Sequence, residues 1–131
     1  MKHIVTSGRR KQSIARASLI EGTGKITINK IDLKVYNPAF ARLKIMEPLM
    51  LASDVASKVD IDIAVRGGGF ITQADAAKVA IARALVEYSS RLKQVFLEYD
   101  RHLLVADIRV KETGKPNHHG MARAKTQTSY R

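Results

Sequence analysis

Apolar and polar residues alternate most strictly at Val59-Asp60-Ile61-Asp62-Ile63-Ala64-Val65, where four β-branched side chains share one face. A period of two belongs to a half-buried strand. Lys25-Ile26-Thr27-Ile28-Asn29 alternates in the same way, and Ser13 to Ile20 reads as another strand. Between them, Glu21-Gly22-Thr23-Gly24 suits a hairpin loop, and Asn29-Lys30 a second turn before Ile31-Asp32-Leu33. The period then lengthens. Ala77, Ile81, Ala84, Leu85 and Tyr88 mark one face of a helix, with Thr72 as its expected N-cap and Asp75 three residues on. Leu92, Val95, Phe96 and Tyr99 outline a second amphipathic piece after a bend at Ser89-Ser90. Pro38 should begin a short helix over Ala39 to Met46, which Pro48 interrupts before opening another to about Ser57. Leu103 to Ala106 fits either a short strand or a buried connection. Beyond Lys111 no apolar period survives. The pattern predicts an α+β domain over residues 1–110, helices packed on one face of a mainly antiparallel sheet, and an extended tail over 111–131.

Charge adds a second layer to this picture. The net charge is +11, and it is segregated. Residues 1–16 hold five basic side chains and no acidic one, while residues 109–131 hold six against Glu112 alone. The stretch between is nearly neutral. Two basic arms flanking a balanced core suit capture of a polyanion, because each neutralised phosphate releases condensed counterions. There is no cysteine, so disulfides, thiolate metal sites and thiol nucleophiles are excluded. No apolar run approaches the roughly 20 residues of a membrane span, and the N-terminus lacks the apolar centre of a secretory signal. A soluble, cytoplasmic protein is expected.

Few residues suggest enzymatic chemistry. Gly67-Gly68-Gly69 separates a strand from a helix, where backbone N–H groups can receive a phosphate. The same three glycines could equally serve only to make a tight turn. Neither a Walker-type loop nor a full dinucleotide fingerprint is present, which leaves a phosphoryl-transfer enzyme without its base or magnesium carboxylate. His118-His119 has no third ligand at metal spacing, and Asp60 and Asp62 read as a solvated strand face. No cofactor or metal is expected. A free-standing nucleic-acid chaperone remains the rival within the binding class.

Three motifs together resemble one family. Gly8-Arg9-Arg10-Lys11-Gln12-Ser13-Ile14-Ala15-Arg16, then Gly67-Gly68-Gly69 with Thr72-Gln73-Ala74 and Ala80-Ile81-Ala82-Arg83-Ala84-Leu85, then Asp107, Arg109, Glu112, Lys115, Ala122-Arg123 and a final Gln127, Ser129 and Arg131 are similar to the small-subunit ribosomal proteins of the S-nine family. Thr72 departs from the family's usual glycine. Tyr130 stands where bacterial members carry lysine, an ending that resembles the archaeal and eukaryotic branch, and the short N-terminus favours the archaeal one.

The resemblance implies a structural, non-enzymatic role in the head of the small subunit, among neighbouring ribosomal proteins. It also implies the α+β unit of the second domain of ribosomal protein S-five. By the same resemblance, Arg9, Arg10, Lys11 and Arg16 are expected on ribosomal RNA, as are Arg66, Gly67 and Gly68 at the turn. Arg109, Lys111, Lys115, Arg123 and Lys125 extend that expectation into the tail. Arg131, with Tyr130 beside it, is expected near peptidyl-site transfer RNA.

Overall fold

The computed structural model describes residues 3–125. Five strands, β1 (Ile4–Arg10), β2 (Ser13–Glu21), β3 (Ile26–Ile28), β4 (Ile31–Asp32) and β5 (Val59–Arg66), form one sheet in the order β1-β2-β5-β3-β4. The helices are α1 (Ala39–Leu51), α2 (Ser53–Ala56), α3 (Phe70–Tyr88) and α4 (Leu92–Tyr99). All pairings are antiparallel except β3 with β5.

The period-two pattern decides which face is covered. Ala15, Ala17 and Leu19 of β2 and Val59, Ile61, Ile63 and Val65 of β5 all point into the core with Ile26 and Ile28. Burying each larger side chain is worth about 1.5–3 kcal/mol. α3 lies over β1, β2 and β5, and α1 packs on α3. The alanines of α3 allow a very close approach: a Cβ added at Gly8 would stand 2.2 Å from the Ala76 carbonyl oxygen and 2.6 Å from the Ala80 nitrogen. Thr6 Oγ1 donates to the Ala80 carbonyl at 2.8 Å across the same seam. The opposite sheet face is open.

Several expectations need correction. The first basic arm is no arm: Arg9 and Arg10 end an edge strand paired along its length with β2. β2 and β3 do not form a hairpin, because β5 enters between them and takes both as partners. Local turn chemistry at Gly22-Thr23-Gly24 could not reveal this; the loop is held instead by Asp60. Asp60 Oδ1 accepts the backbone N–H groups of Thr23, Gly24 and Lys25 at 2.9–3.1 Å, so this carboxylate is more than a solvated strand residue. Those backbone donors, Lys25 first, hold its pKa below the ordinary aspartate value. Asn29-Lys30 is a true hairpin turn, both residues in the left-handed region. Pro48 lies inside α1 rather than opening a new helix. Its ring is fully buried, and that burial offsets the forgone hydrogen bond to the preceding turn. Tyr99 is exposed, leaving Leu92 and Phe96 as the core of α4. Of the two alternatives for the stretch at Leu103, the buried connection holds: Leu103 is buried in a 3₁₀ turn, Arg101–Leu103.

The segment after Leu104 has no helix or strand through Lys125. It does not simply extend. Lys115 N–H donates to the Met121 carbonyl at 3.2 Å, and Arg123 pairs with Glu112 at 2.8 Å, closing a loop around the turn at 116–120. Among the described residues, no helix is long and apolar enough to cross a membrane.

Candidate nucleic-acid interface

Three chain segments meet at one end of the sheet. The β1–β2 turn brings Arg9, Lys11 and Gln12, the β5–α3 turn brings Gly68, Gly69 and Thr72, and the segment leaving the core brings Arg109, Val110 and Lys111. Together they line a cleft of about 770 Å³ containing no acidic side chain.

The turns are locked to one another through Ser13, which is fully buried. Its hydroxyl donates to the Gly67 carbonyl at 2.8 Å and lies 2.7 Å from Thr72 Oγ1. Gln73 Nε2 donates to the same carbonyl at 3.1 Å. Gly67 and Gly68 have φ of +80° and +64°, and a Cβ on either would fall 2.4 Å from the Gln12 carbonyl oxygen or 2.2 Å from Ser13 Oγ. The turn's own packing therefore requires both glycines. Gly69 is different: a Cβ there would meet nothing within 4 Å, so its backbone is open toward solvent. It is the N-cap of α3, displacing Thr72 from the role expected of it. Thr72 sits one turn in, where its Oγ1 accepts the Gly69 N–H at 3.0 Å. The threonine thus replaces a missing side-chain cap from within the helix.

The third wall is fixed by arginines. Arg83 donates to the Ser7 carbonyl at 2.9 Å and the Leu104 carbonyl at 3.3 Å, tying β1 to the exit of the core. Arg10 donates to the Arg109 carbonyl at 3.1 Å and approaches Asp107 at 3.7 Å. Asp107 in turn accepts the Arg109 backbone N–H at 3.0 Å and its guanidinium at 2.7 Å. The Arg109 guanidinium, chiefly, holds the Asp107 carboxyl far below the usual aspartate range. Arg10 and Arg109 are accordingly committed to positioning the chain. Arg9, Lys11 and Lys111 have no ion-pair partner among the described residues.

Arg16 and Arg66 lie elsewhere, on the open sheet face. The register sets Arg9, Ile14 and Arg66 in one row across β1, β2 and β5, with Arg16 two residues along β2. Arg16 and Arg66 border a hollow of about 240 Å³ over Ile14 and Ala64. This basic face adjoins the cleft through Arg9. Lys115, Arg123 and Lys125 belong to the closed loop, where Glu112 already engages Arg123. Tyr130 and Arg131 lie outside the described residues. Sequence reasoning passed over Gln12, Thr72 and Val110 as lining residues, although the first two stood in the motifs, and named Gly69 only as part of the candidate phosphate turn. Among the described residues no cluster of His, Asp or Glu could hold a metal ion.

The chain is 48% identical over 133 residues to small ribosomal subunit protein uS9 of Methanothrix thermoacetophila, covering all of both chains. It is 44% identical over 134 residues to that of Methanococcus vannielii and 46% to that of Methanococcus maripaludis, again over both full lengths. A family model described as ribosomal protein S9/S16 matches residues 8–131. The motifs of the two turns and of the exit segment all fall within that match, and the chain belongs to the ribosomal protein S9/S16 family.

Proposed function

We propose that this protein is a structural constituent of the small ribosomal subunit, held in its head by ribosomal RNA and by neighbouring ribosomal proteins. The observation that carries the reading is the cleft itself: Arg9, Lys11 and Lys111 converge without carboxylate partners beside Gly69, whose Cα faces open space. Cations supply affinity for a phosphate chain, and the first N–H groups of α3 after Gly69, whose own N–H is held by Thr72, supply direction. Arg16 and Arg66 extend the contact over the open sheet face, and Lys115, Arg123 and Lys125 extend it along the closed loop. The α+β unit is that of the second domain of ribosomal protein S-five, which needs no catalytic group. The end of the chain reaches peptidyl-site transfer RNA through Arg131, with Tyr130 available to stack. With the Glu112–Arg123 closure opened and the chain stretched at about 3.3 Å per residue, residues 111–131 would span roughly 70 Å.

Binding of the purified protein to a fragment of head ribosomal RNA tests this. Affinity should fall steeply with salt, by about 10³–10⁵ between 50 and 200 mM for 6–10 phosphate contacts. Lys11→Gln and Lys111→Gln should each lower the salt slope by about 1. A flat salt response, or slopes unchanged in both variants, rejects the cleft as the RNA site.

A further inference from the structure

The sequence places a phenylalanine immediately after the turn glycines, and the fold does not bury it. Phe70 opens α3 with 54% of its surface exposed. Single exposed apolar side chains are ordinary. Phe70, however, opens a helix whose neighbour also begins with exposed apolar residues. Lys44 pairs with Asp75 and Glu47 with Lys78, so α1 and α3 run side by side in one direction with a constant offset. By that offset Phe40 corresponds to Ile71 at the leading ends of the two helices. Phe40 is 58% exposed, Leu43 61% and Ile71 42%. Asp75 and Glu47, on the same two helices, are both answered by lysines. Phe70 itself adjoins Gly69, which lines the basic cleft.

We infer that Phe70 is a stacking platform for an unpaired nucleobase whose phosphate enters the neighbouring cleft, an inference that rests on the RNA-binding reading above. Charge complementarity selects the occupant. A polyanion brings phosphates to Arg9, Lys11 and Lys111 and, across the attached sugar, a flat π-face for the ring of Phe70. A duplex keeps its bases stacked inward and offers no such face, so the site discriminates single strands from paired ones. Base–aromatic stacking tolerates any base, because every base has a π-face.

The full-length protein can be tested with a short fluorescein-labelled oligoadenylate and a perfectly paired RNA duplex of equal length. Phe70→Leu keeps apolar bulk without the ring and, at an exposed position, should leave the melting temperature unchanged. It should weaken oligoadenylate binding by about 5- to 100-fold, leave the salt slope intact and spare the duplex. Lys111→Gln should weaken both ligands and lower the slope. The chain has no tryptophan, so Phe70→Trp supplies a sole indole reporter, which oligoadenylate should quench and the duplex should not. The inference is overturned if Phe70→Leu binds oligoadenylate like the unmodified protein and the indole is not quenched within a formed complex. Loss of the Lys111→Gln effect would instead sink the cleft itself. Normal RNA binding by Phe70→Leu combined with failure to enter reconstituted small subunits would make the patch a protein contact, and would also overturn it.

Discussion

Ser13 Oγ lies 2.7 Å from Thr72 Oγ1, joining the start of β2 to the first turn of α3 across 59 residues of chain. The contact is part-buried and short because Gly68, between β5 and α3, puts no Cβ in its way. A hydroxyl pair therefore sets the distance between the two turns that form the cleft.

Gly68 and Ser13 should be energetically coupled. Gly68→Ala places a Cβ at φ +64° and 2.2 Å from Ser13 Oγ, combining backbone strain with overlap. A left-handed alanine costs about 1–2 kcal/mol before the clash is counted. Ser13→Ala should cost about 1–2 kcal/mol, as a buried hydrogen bond to the Gly67 carbonyl is lost. In the Ser13→Ala background Gly68→Ala should cost less than alone, because the overlapping oxygen is gone. Urea unfolding of the four proteins measures the coupling, and simple additivity within about 0.3 kcal/mol would contradict it.

Gly8→Ala should be the more damaging glycine substitution. Its new methyl meets the Ala76 and Ala80 backbone, which no side-chain rotation can clear. Either β1 leaves the sheet or α3 moves outward, exposing Ala15 and Ala17. Overpacking commonly costs about 1–3 kcal/mol, and the upper end or beyond is expected here. An unfolding midpoint within error of the unmodified protein would show that the seam is looser than the structure indicates.

Periodicity made β5 and α3 legible because a strand half-buried on one face and a helix lying on it each write their period into the chain. β1 was illegible for the opposite reason. It buries only Ile4 and Gly8 fully, and its remaining positions are polar or exposed, so charge masked the strand. The sheet order was equally hidden, since Gly22-Thr23-Gly24 reads as a hairpin whether or not β5 later inserts. At the site, glycines and lone cations could be read from the motifs. The commitment of Arg10 and Arg109 to Asp107 could not, because it depends on where the chain returns after Leu103.

Asp107→Asn should loosen the exit segment without unfolding the domain. Replacing the carboxylate weakens the grip on the Arg109 guanidinium and on Arg10, so amide exchange at Arg109 should quicken. Helix α3 should keep its protection. The pH response has a definite sign. Asp107 has a folded pKa depressed below its unfolded value of about 3.9, so its contribution is complete above that value. It fades only as pH falls through the lower folded value. The Asp107 carboxyl resonance should accordingly show no titration from neutral pH to about 4. An ordinary midpoint near 3.9 would mean that the arginine contacts do not persist in solution.

The last expectation separates folding from ligand contact along the final segment. Residues 111–125 contribute no member of the buried core, so a chain ending at Val110 should unfold within about 0.5 kcal/mol of the full protein. Its RNA binding should nonetheless suffer, since Lys111 lines the cleft. Arg131 concerns a different ligand. A guanidinium can grip a phosphate with two parallel hydrogen bonds where an ammonium acts as a point charge. In reconstituted small subunits, Arg131→Ala should weaken peptidyl-site transfer RNA by about 1.5–3 kcal/mol, the range for hydrogen bonds to charged groups. Arg131→Lys should recover part of this, and subunit assembly should proceed in both. Transfer RNA dissociation measured at two salt concentrations decides the matter. If Arg131→Ala matches the unmodified protein at both, the end of the chain is not a ligand for transfer RNA, while the cleft reading stands unaffected.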